Sequence, residues 1–371
     1  MKRYVLARAT INPFMTKLAT MLKSRGARVE SLSIYEPTDD KKKVFHKCHY
    51  LMKREEKLKQ KSKIGMIKTY FSILKQLKTV TKPLKDCHMV IGVSEPNAFV
   101  YFVFLFSKCK KIFYPYDISK LRYKKFWHNK WYDWFFEKKN FKKADAIIHK
   151  VPEKTIESLS LNKPVLQFLP YADFENIQKD FNKLEGTHIV YVGSVYDGKN
   201  KKGTFPLKHI FAEIVHKNIH MHVYPTNYPE VSKDKDIINL QDTEYFHLHK
   251  PVYGEQLRKE LSQYHWGLYM LYFDQDIFKK DWADSVFGNK VADYVEAGLP
   301  ILTNKGLPFV CEIIEKYHLG LCINHYSNIE EEIKKCNYSN IQKNTSIGRH
   351  RFTMDKHNHK LIDFLEKIEN E

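Results

Sequence analysis

The sequence is short of the residues that staple or punctuate small scaffolds. Six cysteines and 14 glycines among 371 residues exclude a disulfide framework and a collagen-like chain, and no heptad or 20–50-residue repeat stands out. Cys48, Cys87, Cys109, Cys311, Cys322 and Cys336 make no C-x-x-C pair, so neither a zinc ribbon nor a thioredoxin-type site is written. They read as buried or idle thiols of a reducing compartment. Long apolar runs are also missing. The longest, Ala98 to Phe106, has nine residues, where a membrane span needs about 20. The apolar stretch before Arg8 is too short for a secretory leader. The expected location is the cytoplasm, with peripheral attachment to the inner face of a membrane left open. H-E-x-x-H, G-x-S-x-G and G-x-x-x-x-G-K-[ST] are absent, which leaves zincin, serine hydrolase and P-loop chemistry without support. His220 and His222, like His247 and His249, fall on one side of a strand but lack an acidic or cysteine partner at ligand spacing, so no metal site is expected.

What is present is a large core and an uneven charge. Hydrophobic residues make up 43%, and the length suits two domains. The formal charge is +19. Residues 1–180 hold 38 Lys+Arg against 17 Asp+Glu, whereas residues 181–371 hold 24 against 26. Within the first half, residues 41–85 carry 15 basic and 2 acidic side chains. Such asymmetry points the N-terminal half toward something anionic: a phospholipid surface, a lipid phosphate, an acidic polysaccharide or nucleic acid. The plain alternative is lysine decorating solvated helices.

Strand and helix signals alternate along the chain. Tyr4–Ala7 reads as a strand, Pro13 opens a helix with Leu18, Met21 and Leu22 on one face, Gly26 ends it, and Val29–Ile34 reads as the next strand. Residues 41–85 read as basic helical material. His88–Val93, Lys111–Tyr114, Ala144–Ile148 and Val165–Leu169 are further strands, with a buried helix over Ala98–Ser107. The pattern restarts at His188–Gly193, with a helix over 206–217 and strands at Met221–Tyr224, Gly267–Leu271 and Pro300–Leu302. The polar stretch 173–187 is the natural linker. This predicts an α/β architecture of two doubly wound parallel-sheet domains facing a cleft, with ligands beyond the C-terminal strand ends.

One segment carries the strongest chemical signal: Ser285-Val286-Phe287-Gly288-Asn289-Lys290-Val291-Ala292-Asp293-Tyr294-Val295-Glu296-Ala297-Gly298-Leu299-Pro300. It is a glycine-led loop, a short helix, a glycine stop and a strand. Backbone N–H groups near Gly288 and Asn289 would form an anion site at the helix start, with Lys290 in the same turn. Asp293 lies on the face of Lys290, placed to accept hydrogen bonds from a ribose diol. An ordinary capped α/β helix fits the same pattern.

That segment resembles the donor-site signature of retaining, family-4-type glycosyltransferases of the GT-B fold. The resemblance implies Asp293, five residues before Gly298, as the ribose ligand, and leaves Glu296 offset. The family's second acid, eight residues earlier, falls on Ser285, with Asp284 adjacent. Val190-Tyr191-Val192-Gly193-Ser194 followed by Lys202-Gly203 is similar to the segment that opens the family's second domain, where an Arg and a Lys grip the donor pyrophosphate. Lys202 fits the Lys; Ser194 stands at the Arg position, with Lys199 and Lys201 nearby. In the first half the family's glycine-rich loop is replaced by Arg8-Ala9-Thr10-Ile11-Asn12, and its mid-domain His by Tyr116-Asp117. Asp117 is the candidate catalytic, sugar or acceptor contact, or a helix cap; Glu95 is a further cleft candidate.

The resemblance thus implies an acceptor-binding Rossmann-like domain over 1–175, with a C-terminal helix at 353–371 packing back on it, and a nucleotide-sugar domain over 187–350. It implies a UDP- or GDP-sugar as donor, bound by Gly193, Ser194, Lys202, Gly288, Asn289, Lys290 and Asp293, with no metal, and retention at the anomeric carbon. A glycan or lipid-linked acceptor at an anionic membrane surface is the favoured partner. A nucleic-acid-modifying transferase and a non-catalytic sugar- or polyanion-binding relative are the alternatives.

Residues 121–143 add nine aromatic residues to eight basic ones. Tyr123, Trp127, Trp131 and Trp134 form one helical stripe. Lys124, Lys125, Trp127, Lys130, Trp131 and Trp134 are the candidate membrane or acceptor contacts. Core packing with snorkelling lysines and nucleic-acid stacking are the other readings.

Overall fold

The structure, a computed structural model, describes residues 1–53, 75–77, 84–94, 96–122, 131–178, 183–195, 207–273 and 278–371. Two compact units divide the chain. One holds 1–121, 125–169 and 357–371, the other 122–124 and 170–356.

In the first unit β1 (Arg3–Arg8), β2 (Arg28–Tyr35), β3 (Lys47–Met52), β4 (Met89–Val93), β5 (Lys110–Tyr114), β6 (Ala146–His149) and β7 (Val165–Gln167) form a sheet of order β3-β2-β1-β4-β5-β6-β7. Every pairing is parallel. The inner strands are apolar on both faces, as a sheet covered by helices requires. The helix Pro13–Ser24 starts where Pro13 predicts, and Asn12 caps it: the Asn12 side-chain oxygen accepts from the Met15 N–H at 2.9 Å. The reading of 41–85 as helical material is corrected at Lys47–Met52, an edge strand; residues 54–74 and 78–83 lie outside the described residues. Cys87 and Cys109 are not idle thiols but a disulfide, with Cα atoms 6.0 Å apart. They flank the N-terminal ends of β4 and β5, whose pairing brings them together. Most of the helix Met354–Asn370 groups with this unit, from His357 onward; Leu361, Leu365 and Ile368 are buried, and Lys2 pairs with Glu369 at 2.8 Å.

In the second unit β8 (His188–Val192), β9 (His220–Tyr224), β10 (Phe246–Leu248), β11 (Trp266–Tyr269), β12 (Ile301–Asn304) and β13 (Gly320–Ile323) form a parallel sheet of order β10-β9-β8-β11-β12-β13. Each sheet reverses its winding once, between β1 and β4 and between β8 and β11. Those reversals open a crevice at the C-terminal strand ends. Residues 170–178 group with the second unit rather than forming a loose linker. Buried Glu296 accepts from the Asp173 N–H at 2.8 Å through its carboxylate and from the Gln178 N–H at 2.8 Å through its carbonyl.

One face of this sheet carries a lattice of imidazoles. His188 Nε2 lies 2.6 Å from the Glu185 carbonyl and must carry the proton there. His188 Nδ1 then accepts from His222 Nε2 at 2.8 Å, and His222 Nδ1 accepts from His249 Nε2 at 3.0 Å. His220 and His247 pair at 3.1 Å. The histidine pairs seen in the sequence therefore satisfy one another across strands.

Candidate functional site

In the second unit the predicted donor residues converge where β8 and β11 end. Gly193 follows β8 with a φ of 135°, a conformation that only glycine adopts without strain. A Cβ there would stand 3.2 Å from Lys290 Nζ. Lys290 opens the helix Lys290–Ala297, and its ammonium sits 3.9 Å above the Tyr191 ring and 5.7 Å from that of Tyr269. Gly288 packs on Tyr269, whose hydroxyl would be 2.8 Å from a Cβ at that position. Desolvation pulls the Lys290 ammonium down to about 7, against the opposing pull of Asp293. An anion arriving at Gly193 would meet a cation already stripped of much of its water.

The scaffold beneath is rigid for identifiable reasons. Tyr294 is fully buried against Gly267, where any side chain would collide with its ring. Its hydroxyl donates to the Leu268 carbonyl at 3.0 Å and accepts from the Val192 N–H at 3.2 Å, locking β11 to the last residue of β8. Gly298 ends the helix in the left-handed conformation. Asn289 is its N-cap, and Asn289 Oδ1 is a buried oxygen without a partner among the described residues.

The remaining predicted residues sort as follows. The Ser194 hydroxyl pairs with Thr226 at 2.6 Å, and its carbonyl accepts from the Tyr191 hydroxyl at 3.0 Å. It braces the loop after β8 while itself half-buried. Lys202, with Lys199, Lys201 and Gly203, lies outside the described residues. Asp293 is half-buried one turn above Asn289. Ser285 is buried and donates to the Trp282 carbonyl at 3.2 Å, the bond of a residue finishing its own helix. Asp284 instead lines a cavity of about 590 Å³ at the C-terminal ends of β11, β12 and β13, with Tyr272, Lys279, Asn304 and Lys305. Sequence reasoning named Asp284 only as a neighbour of the expected acid. Beyond β10, which the sequence did not reveal, the Tyr253 ring is 69% exposed.

In the first unit the predicted Asp117 joins a second convergence, again at strand ends. Lys150, buried at the end of β6, places its ammonium 3.7 Å from Asp117 and 4.0 Å above the Tyr116 ring. The Arg8 guanidinium stacks on the same ring at 4.9 Å and donates to the Ser94 carbonyl at 3.0 Å. The Ser94 hydroxyl accepts from the Tyr116 N–H at 2.7 Å. Residues from β1, β4, β5 and β6 thus present two cations and a carboxylate around one ring. Buried Glu137 caps the helix that follows, accepting from the Ser119 and Lys120 N–H groups at 2.7 and 3.2 Å. Glu95, Lys124, Lys125, Trp127 and Lys130 lie outside the described residues; of Trp131 only the helical backbone is described, and Trp134 is half-buried.

No family model matches the chain, and no curated protein matches it. Solved structures do. HepE from Anabaena, in complex with UDP, aligns with a TM-score of 0.65 at 10% identity, over 99% of this chain and 100% of its own. A point mutant of S. aureus TarM, in complex with fondaparinux, α-GlcNAc-glycerol and UDP, gives 0.67 at 10% identity, over 98% and 100%. A chain assigned as a UDP-N-acetylglucosamine 2-epimerase from Listeria monocytogenes gives 0.60 at 11% identity, over 97% of each. The fold is the GT-B fold, two parallel α/β units. Since it also serves a chain assigned to epimerisation, the chemistry must be argued from the site.

Proposed function

We propose that this protein is a glycosyltransferase that moves a sugar from a UDP- or GDP-sugar to a glycan or lipid-linked acceptor at an anionic membrane surface, with retention at the anomeric carbon. The observation that carries the reading is the half-buried Lys290 ammonium facing the backbone of Gly193 at the reversal between β8 and β11. A leaving diphosphate gains charge in the transition state, and a fixed, poorly solvated cation with helix-start N–H groups stabilises it there.

In this reading Lys290, Lys202 and the backbone of Gly193, Ser194, Gly288 and Asn289 hold the diphosphate. Asp293 takes the ribose hydroxyls, and Tyr253 offers a face for the base. The cavity walled by Asp284 suits the sugar ring, its volume falling within the usual range of small-molecule sites. Asp117, with its charge compensated by Lys150, is the sugar or acceptor contact of the first unit. The test is release of nucleoside diphosphate from a panel of UDP- and GDP-sugars, with and without glycan acceptors, by wild type and Asp293→Asn. Turnover of one sugar nucleotide that rises with acceptor and drops at least tenfold in the variant supports transfer. Acceptor-independent isomerisation of the sugar would replace it with an epimerase.

A further inference from the structure

The helix Trp131–Lys143 puts polar groups inside. Among its described side chains the fully buried ones are Glu137 and Asn140, and Phe141 packs inward on Phe113 at 5.2 Å. Asp133, Glu137 and Asn140, spaced four and three apart, face inward on one stripe. Asp133 accepts from the Asn97 N–H at 3.1 Å and from the Ser119 hydroxyl at 3.2 Å, Glu137 caps Ser119 and Lys120, and Asn140 donates to the Asn97 carbonyl at 2.9 Å. Both acids of the helix are thereby committed to two helix starts. Among the described side chains, Trp134, Phe135, Phe136 and the lysines remain for the outer face.

Those rings join others from the helix Asn97–Phe106. Phe136 stands 5.3 Å from Tyr101, 5.6 Å from Phe102 and 5.3 Å from Phe135. Leu105 is 47% exposed and Phe135 43%, so the ridge is open at both helices. Lysines rim it: Lys138 lies over Trp134 at 5.7 Å and Lys139 over Phe135 at 5.3 Å, with exposed Lys108, Lys142 and Lys143 beyond. Neither helix turns an acid outward: the first has none and the second uses both inside.

We infer that this ridge of Tyr101, Phe102, Leu105, Trp134, Phe135 and Phe136, with its lysine rim, is the surface by which the protein docks on an anionic phospholipid bilayer. The inference deepens the membrane part of the proposed function and rests on it, but not on the donor chemistry. The charge favours lipid over a protein partner. Lysine is depleted at the core of protein interfaces, whereas aromatic rings at headgroup depth with lysines reaching anionic phosphates are what a membrane surface rewards. A nucleic acid would match the lysines but leave Leu105 without a role.

The test uses the full chain with vesicles of phosphatidylcholine alone and with about a third phosphatidylglycerol, read by flotation and by quenching of tryptophan fluorescence with brominated lipid. Binding to the anionic vesicles, weakened by salt, is expected, with little to neutral ones. Leu105→Ser with Phe135→Ser, both exposed, should lose at least tenfold in partition while keeping the wild-type melting temperature. Lys138→Ala with Lys139→Ala should lose severalfold. Absence of binding, or binding unchanged in both double variants, overturns the inference. So does a dimer that the apolar variant dissolves without any vesicle binding. The nucleotide-induced stabilisation of the same variants is measured alongside: its survival when vesicle binding is absent limits the failure to this surface, and its absence would strike the transferase reading instead.

Discussion

If Lys290 grips a diphosphate, nucleotide binding must take up a proton. In the free protein burial holds its ammonium down to about 7, so about half of the chains carry it neutral at pH 7 and about nine-tenths at pH 8. A diphosphate selects the charged form. Uptake should therefore be about 0.5 proton at pH 7 and about 0.9 at pH 8, and the dissociation constant should worsen about fivefold between them by linkage. Over that range the ligand's own phosphate, with a second pKa near ~6, is already ionised and contributes little. Titration calorimetry in two buffers of different ionisation enthalpy reads the uptake directly. Lys290→Arg keeps a permanent charge and should bind with no uptake, whereas Lys290→Gln should bind weakly at every pH. A wild type that binds at pH 8 without proton uptake, or an arginine variant that keeps the wild-type slope, refutes the assignment.

Four further outcomes follow from the structure. Tyr294→Phe leaves the carbonyl of Leu268 and the N–H of Val192 short of a partner, and should destabilise the second unit by about 1–3 kcal/mol in chemical denaturation. Acid should unfold the protein early. Burial lowers His222 to about 2 and His149 to about 4, so the unfolded chain binds the extra protons once pH drops below about 6.5. Stability contributed by the two neutral rings is whole above that point, and together they lose about 3 kcal/mol by pH 5.5; denaturation midpoints at pH 7 and 5.5 should show the drop, and His222→Gln with His149→Gln should remove that part, leaving the same-signed slope of His247 and His265, which burial also lowers to about 4. The opposite slope comes from Glu137, raised to about 7 by burial, whose contribution fades as pH climbs from about 4.5 to 7; Glu137→Gln should remove that part alone. Finally, thiol titration of the denatured, unreduced protein should find four cysteines, Cys48, Cys311, Cys322 and Cys336, rather than six.

Both sheets could be read from the chain because their central strands are buried on both faces and so appear as continuous apolar runs, such as Met89–Val93 and His188–Val192. Of the four edge strands only Val165–Gln167 was legible, and the other three escaped. Lys47-Cys48-His49-Tyr50 offers neither an apolar run nor alternation, and it is a strand because β2 supplies hydrogen bonds, a tertiary cause. Phe246–Leu248 and Gly320–Ile323 are short for the same reason. The Cys87–Cys109 bond has no signature in spacing; it exists once β4 and β5 lie side by side. Helical periodicity suggested an aromatic stripe through Trp131 and Trp134, yet among the described side chains of the helix Trp131–Lys143 Trp134 is half-buried and the fully buried ones are Glu137 and Asn140. Two neighbouring helix starts needed acceptors more than the core needed rings, and a count of apolar residues cannot weigh that. At the site, the motif around Lys290 and the turn at Gly193 were both named from sequence, but their contact depends on β8 and β11 being neighbours. Asp284, one residue from the position the motif points to, stands on the cavity wall while Ser285 turns inward, a choice made by the helix Lys280–Ser285 and invisible to spacing.

The central functional claim is that the second unit holds a nucleoside diphosphate at Gly193 and Lys290. Thermal stability against UDP, GDP and their sugars tests it most directly. One nucleotide at a hundred times its dissociation constant should stabilise the protein by about 2.7 kcal/mol. That shift should vanish in Gly193→Ala, where the new methyl group meets the Lys290 ammonium, and in Asp293→Ala. No shift with any nucleotide, or one that both variants retain in full, would contradict the account.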